Sequence, residues 1–231
     1  MRGPIVIAGG GPAGALLATY LGRAGHSVTV YESRPDLRVS EVDAGRSINL
    51  ALATRGIVPL IDIGVIDRVD EITIPMRGRM VHAVDDPNPV LQPYGSKTHE
   101  VIHSVGRTGL NAILLDAAEA TGNVNIVFGR SIDRVDLETS TIHFADGGST
   151  EFGVILGADG VGSPVRAAMT DAGSCVWTTD RLDHDYKELT LPAGPTGEHQ
   201  LDRNALHIWP RGEFMLIALA NPGGEIGRAH V

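Results

Sequence analysis

The chain reads as an α/β protein, on two observations. An apolar strand, a glycine-rich turn and an amphipathic helix follow one another at the N-terminus, the signature of a parallel, Rossmann-like unit. Two later stretches, 71–104 and 176–224, carry short alternating runs broken by turn residues, which read as the strands of a second, antiparallel sheet. Composition agrees with this class: among 231 residues, 42% are hydrophobic, only 4% are aromatic and 29 are glycine, so turns and close backbone packing dominate over bulky side chains.

The formal charge of −9 argues against a nucleic-acid partner, which would need clustered Lys and Arg to displace counterions from phosphates. Cys175 is the only cysteine, so no internal disulfide forms and a reducing cytoplasm is the expected compartment. The apolar start to Leu21 is interrupted by three glycines and Pro12, and it reads as strand, turn and helix rather than an export signal.

In chain order, a strand is expected at Pro4–Ala8, a helix at Ala13–Ala24 and a strand at Ser27–Tyr31. A second helix is expected at Thr54–Ile63. Antiparallel strands are expected between Arg79 and Val105, where Pro87, Pro89 and Pro93 break the runs. Apolar spacing at Leu110, Ile113, Leu114, Ala117 and Ala118 then marks a helix, with Thr108 as its N-cap and Gly122 as its stop. Strands follow at Val124–Phe128, Ser131–Asp136, Thr141–Phe144 and Phe152–Leu156, with a turn at Asp146-Gly147. The last strands are expected at Glu188–Leu191, Leu206–Trp209 and Phe214–Leu219.

Between the first strand and the first helix lies Gly9-Gly10-Gly11-Pro12-Ala13-Gly14. Gly9 allows the tight turn, Gly11 lets a pyrophosphate reach the backbone, and Gly14 lets the helix lie close to the strand. The helix N-terminus then offers free N–H groups to the phosphates. Glu32 closes the second strand where a carboxylate accepts from ribose hydroxyls and repels a 2′-phosphate, so the unit suits FAD or NAD rather than NADP.

His99-Glu100-Val101-Ile102-His103 matches the zinc-protease string, whose chemistry needs a helix. Val101, Ile102 and Val105 favour a strand, which separates the histidines and turns Glu100 to the other face, and Gly109 stands where a third histidine would be wanted. No metal is expected.

Further strings are Gly45-Arg46-Ser47-Ile48-Asn49-Leu50-Ala51-Leu52 with Arg55-Gly56, and Ile74-Pro75-Met76-Arg77-Gly78-Arg79-Met80. Pro93-Tyr94-Gly95 follows, then Ser104-Val105-Gly106-Arg107 with Leu110-Asn111, and Gly157-Ala158-Asp159-Gly160 running to Arg166. Glu188-Leu189-Thr190 and Leu206-His207-Ile208-Trp209-Pro210-Arg211 come last. In this order, over residues 5 to 224, the chain resembles the flavoprotein aromatic hydroxylases.

The resemblance implies FAD as cofactor, with Gly9, Gly11, Ala13, Gly14, Glu32, Arg34, Ala51, Arg107, Ile132 and Asp159 in contact with it. It implies that Arg79 and Tyr94 grip a substrate carboxylate, a fork and a hydroxyl suited to that group. It also implies NADPH and dioxygen as co-substrates and L-kynurenine as the aromatic amino acid hydroxylated. The flavin carries the chemistry, so no side chain is nominated as catalytic. Another aromatic acid as substrate, or a non-catalytic FAD-binding module, remain alternatives. An unrelated pairing of Arg79 with Asp85 or Asp86 is the structural alternative for that residue.

The domain organisation expected is an FAD-binding part at 1–70, substrate-domain strands at 71–104, the FAD-binding domain continued at 105–175, and further substrate-domain strands at 176–224. Members of the family continue beyond this length, so the resemblance implies an incomplete substrate domain and a fragment that is itself inactive. Residues 225–231, Glu225-Ile226-Gly227-Arg228-Ala229-His230-Val231, resemble nothing in the family and read as an artefactual tail.

Overall fold

A computed structural model of the chain describes residues 3–39, 49–97, 100–181, 183 and 187–230. The string Gly45 to Ile48, His99 of the zinc-protease string and Val231 lie outside the described residues. The chain divides into two compact units, Met1–Val42 with Asn111–Asp180, and Asp43–Leu110 with Arg181–Val231. Residues 49–70 group with the second unit.

The first unit is built on β1 (Ile5–Ala8), α1 (Pro12–Arg23) and β2 (Val28–Tyr31). α1 begins where it does because Pro12 sits at its first position with φ already suitable, and Gly11 supplies no side-chain cap. Its inward stripe is small, with Gly14, Ala15, Ala18 and Gly22 buried, so the helix lies close against the sheet. The chain leaves the helix through Gly25 at φ +82°, a left-handed position that a glycine takes without strain.

Later elements of this unit are β8 (Val124–Val127), β9 (Ile132–Asp136), β10 (Thr141–Phe144), β11 (Ser149–Glu151), β12 (Val154–Gly157) and α5 (Pro164–Asp171). Among the described residues the parallel sheet has the order β12-β1-β2-β8. The last of these strands in sequence thus lies beside the first, Ala8 facing Gly157. Ile5, Ile7, Val28 and Val30 pack under Ala18 and Ala118 as the core of this sheet. β9, β10 and β11 form an antiparallel sheet whose Ile142 and Phe144 pack on Val6.

The second unit holds β3 (Asn49–Leu52), α2 (Thr54–Asp62), α3 (Ile66–Asp70), β4 (Thr73–Met76), β5 (Gly78–Val81), β6 (Val90–Pro93) and β7 (Ile102–Gly106). It also holds β13 (Lys187–Leu191), β14 (Leu206–Arg211), β15 (Phe214–Ala220) and β16 (Ile226–His230). Among the described residues two sheets result, β3-β7-β4 and β13-β16-β15-β14-β5-β6, antiparallel except for the β14–β5 pair. Pro75 is tolerated in β4 because that strand lies at a sheet edge and needs no donor there. Ile74, Ala218, Ala220 and Ile226 form the core. Residues expected as a foreign tail thus supply β16, which pairs with both β13 and β15.

α4 (Arg107–Glu119) runs across the boundary between the units. β7 ends at Gly106 and α4 starts on the next residue, so Thr108 lies inside the first turn instead of capping it. Ile102 and His103 of the zinc-protease string are in β7, the strand expected for them, and no group of three potential metal ligands occurs among the described residues. No helix among the described residues is long and apolar enough to cross a membrane.

Candidate functional site

The carboxyl ends of three neighbouring parallel strands, β12, β1 and β2, bring together Asp159, the glycine turn and Glu32, residues up to 150 apart in sequence. Open α/β sheets bind ligands at this end. Gly9 has φ +97°, and a Cβ there would press into the Ala158 carbonyl and stand 3.0 Å from the Asp159 Cα. A Cβ on Gly14 would overlap the Gly9 carbonyl and meet the Ala158 side chain at 3.2 Å. These two glycines are packing requirements. Gly11 differs, because a Cβ there would meet nothing within 4 Å.

The first turn of α1 carries no side-chain cap, and Ala13 and Gly14 stand where helical N–H groups lack an intrahelical acceptor. The Gly11 N–H likewise donates to no group among the described residues. A phosphate is the group such a cradle fits: open space over Gly11, free donors and the positive end of a helix.

Glu32 is buried at the end of β2. Its Oε2 accepts the Gly10 N–H at 2.8 Å, which ties the strand end to the glycine turn. Its Oε1 accepts the Arg34 backbone N–H at 2.9 Å, and the Arg34 guanidinium grips both oxygens, Nε to Oε1 at 2.8 Å and Nη2 to Oε2 at 3.3 Å. Burial pushes the carboxyl pKa up, but the bonds from Arg34 and Gly10 together outweigh it and hold it below its ordinary value. Glu32 is therefore an anion whose position is set by backbone, with an exposed arginine as a replaceable partner.

Asp159 follows β12 and accepts the Val165 N–H on Oδ2 at 3.3 Å, so it steadies the start of α5. Ser163 caps that helix by accepting from the Arg166 N–H at 3.0 Å. No bond to Asp159 Oδ1 occurs among the described residues, leaving an acceptor for a hydroxyl. Ile132 opens β9, half-buried.

In the second unit, Arg107 is the first residue of α4 and Ala51 lies on β3 opposite Ser104. Arg79 on β5 makes no ion pair among the described residues; Asp86 instead accepts from its own neighbour Asn88. The Arg79 guanidinium stands over the Tyr94 ring, 5.5 Å from its centroid. Among the described residues the Tyr94 hydroxyl is buried without a well-formed hydrogen bond. Burial pushes its pKa up, opposed by the charge of Arg79 and by that side chain's polar approach to the hydroxyl; the guanidinium carbon itself stands over the ring.

Two features escaped the sequence reading. Register puts Arg79 on the same sheet face as Leu206, Ile208 and Ile217, an apolar strip beside a cation. Strand alternation marks those residues as one set, but only the β5–β14 pairing assigns them to the Arg79 face. The other is Asn111, buried on α4, whose Nδ2 donates to the Gly10 carbonyl at 3.1 Å. It falls within a recognised string, yet nothing local indicates a partner 101 residues away.

Residues 2–174 match the family model described as FAD binding domain. Among curated relatives, the kynurenine 3-monooxygenase of Myxococcus xanthus (strain DK1622) is 44% identical over 226 residues, 96% of this chain and 48% of that protein. That of Dictyostelium discoideum is 42% identical over 223 residues, 96% of this chain and 48% of that protein. The chain thus spans about half the length of the curated relatives it matches. Among solved structures, Pseudomonas aeruginosa PqsL in complex with 2-aminobenzoylacetate superposes with a TM-score of 0.71 at 20% identity, covering 99% of this chain and 60% of that one. A 2-methyl-3-hydroxypyridine-5-carboxylic acid oxygenase gives 0.73 at 18% identity, covering 100% and 59%. At those identities the likeness concerns the fold.

Proposed function

The chain belongs to the FAD binding domain family, and on that premise we propose that it supplies the nucleotide-binding part of an FAD-dependent monooxygenase that hydroxylates L-kynurenine. The observation that carries the reading is the buried Glu32 carboxylate, tied to the Gly10 N–H beside an open Gly11 and an uncapped helix. In this arrangement Glu32 takes the adenosine ribose, with Arg34 beside it, and the N–H groups of Gly11 and Ala13 face the diphosphate. Asp159 offers Oδ1 to the ribityl chain and Ile132 gives apolar contact; Ala51 and Arg107, in the second unit, enter the reading by the family resemblance alone, a backbone contact and a fixed cation suited to the cofactor's polar middle.

When bound, FAD supplies the redox chemistry that passes electrons from NADPH to dioxygen. The protein's own residues hold and orient the substrate. Arg79 and the buried Tyr94 hydroxyl suit the substrate carboxylate, and Leu206, Ile208 and Ile217 suit its aromatic ring. The relatives' shared name supports L-kynurenine within the wider class of aromatic acids.

Two measurements test this. The 231-residue chain, mixed with FAD and desalted, is expected to retain a flavin absorbance band, and a chain that retains none overturns the cofactor reading. The corresponding full-length protein is expected to oxidise NADPH in an L-kynurenine-dependent way with hydroxylated product. Product from a phenolic acid, with none from L-kynurenine, overturns the substrate reading.

A further inference from the structure

We propose that Asn111 is a positioning residue for the diphosphate, acting through the peptide between Gly10 and Gly11; this rests on the dinucleotide reading above. A run of glycines has the widest choice of backbone conformations of any sequence, so a useful donor in it must be held by something else. Gly10 is held from both sides. Its N–H is bound to Glu32 Oε2 at 2.8 Å and its carbonyl to Asn111 Nδ2 at 3.1 Å, both bonds buried.

The second bond fixes more than a carbonyl. The peptide is planar and trans, so the Gly10 C=O and the Gly11 N–H belong to one rigid plate and point in opposite directions. Turning the carbonyl toward Asn111 aims the Gly11 N–H the other way. Among the described residues that N–H has no acceptor and a Cβ on Gly11 would meet nothing within 4 Å. Asn111 therefore sets the direction of a donor that the protein itself leaves unused.

The other end of the same side chain points to the same conclusion. Asn111 is only 4% exposed, flanked on α4 by the buried Leu110 and Leu114, and its Oδ1 is buried with no donor among the described residues. A buried amide with one end unsatisfied is costly. What the amide adds is the Nδ2 donation to Gly10.

The test compares ligands with and without phosphate. In the full chain, Asn111→Leu keeps the branched shape and heavy-atom count and removes the donor. Calorimetric or competition titrations are run with FAD, ADP and adenosine on the parent and the variant. Asn111→Leu is expected to weaken FAD and ADP about tenfold, the scale of one charge-assisted hydrogen bond, and to leave adenosine unchanged, because Glu32 still meets the ribose. Asn111→Gln, which keeps an amide on a longer arm, is expected to lose less for ADP than the leucine form. Equal losses for ADP and adenosine, or none for either, overturn the proposal while the dinucleotide reading stands. A parent that binds neither FAD nor ADP overturns both. If the leucine form does not fold, Asn111→Ser carries the same comparison, water filling the vacated space.

Discussion

The Arg34 guanidinium closes on the Glu32 carboxylate through two bonds, 2.8 Å and 3.3 Å long, and so fills acceptor positions that the proposed function gives to a ribose. A carboxylate has about four lone-pair sites. Glu32 already receives two backbone N–H groups, from Gly10 and Arg34 itself, besides the fork and the Ser33 hydroxyl. The backbone donors cannot leave, but the Arg34 side chain is exposed and can.

Nucleotide binding should therefore wait on the fork swinging away. Arg34→Gln is expected to speed FAD association about threefold, the scale of an exposed ion pair. Raising the ionic strength should speed the parent and leave the variant nearly unchanged. Stopped-flow quenching of flavin fluorescence reads both, and identical association rates at low salt would refute it.

The same pair gives a pH prediction. The folded pKa of Glu32 is depressed from the ordinary 4.5, so its contribution to stability is full above that value and is lost as pH falls through the folded one. Arg34→Ala removes bonds that lower the pKa and leaves the burial that raises it. The acid limb of the urea midpoint is expected to move to higher pH in that variant. In Glu32→Gln this component of the limb disappears. An acid limb unmoved by Arg34→Ala would show that the backbone bonds alone hold the carboxylate.

Tyr94 predicts opposite signs for stability and binding. Its hydroxyl is buried without a well-formed hydrogen bond among the described residues, so Tyr94→Phe removes a poorly satisfied group and should leave the chain as stable or more stable by up to about 1 kcal/mol. In the full-length protein the same change should raise the KM for L-kynurenine about tenfold through the lost bond to a carboxylate. Arg79→Lys should also raise KM, because the ammonium keeps the charge but not the fork. An unchanged KM in both would remove this pair from the substrate site.

The sequence made the strand–turn–helix at Ile5 to Glu32 legible because every part of it is local: apolar period, glycine spacing and a carboxylate at the strand end. Chain entry to α4 was misread at Thr108 because capping chemistry says nothing about a strand that passes straight into a helix. The stretch 71–104 reads as strands and holds β4, but Pro75 hides that strand's exact bounds unless its edge position is known; α5, only eight residues long, has no clear periodicity of its own. The site divides similarly. Glu32 and Asp159 sit in readable motifs, whereas Asn111 and the Leu206–Ile208 strip acquire their roles from partners more than 100 residues distant.

The glycines of the turn can be separated by experiment, since they are glycine for different reasons. Gly11 has φ −69° and ψ 178°, a conformation open to any residue, and its Cβ would enter free space. Gly11→Ala should therefore fold normally, with stability unchanged or raised by about 0.5 kcal/mol through a less flexible unfolded chain. Its methyl group would stand where the diphosphate approaches, so FAD affinity should fall at least tenfold, a rough figure for lost close approach. Gly14→Ala meets the reverse situation. Helix propensity favours alanine by about 1 kcal/mol, but the methyl overlaps the Gly9 carbonyl and crowds Ala158. Forcing α1 off the sheet should cost about 1–3 kcal/mol net, visible in urea unfolding without any nucleotide. If Gly11→Ala instead unfolds the chain while Gly14→Ala tolerates the methyl, the turn is not arranged to receive a phosphate over Gly11.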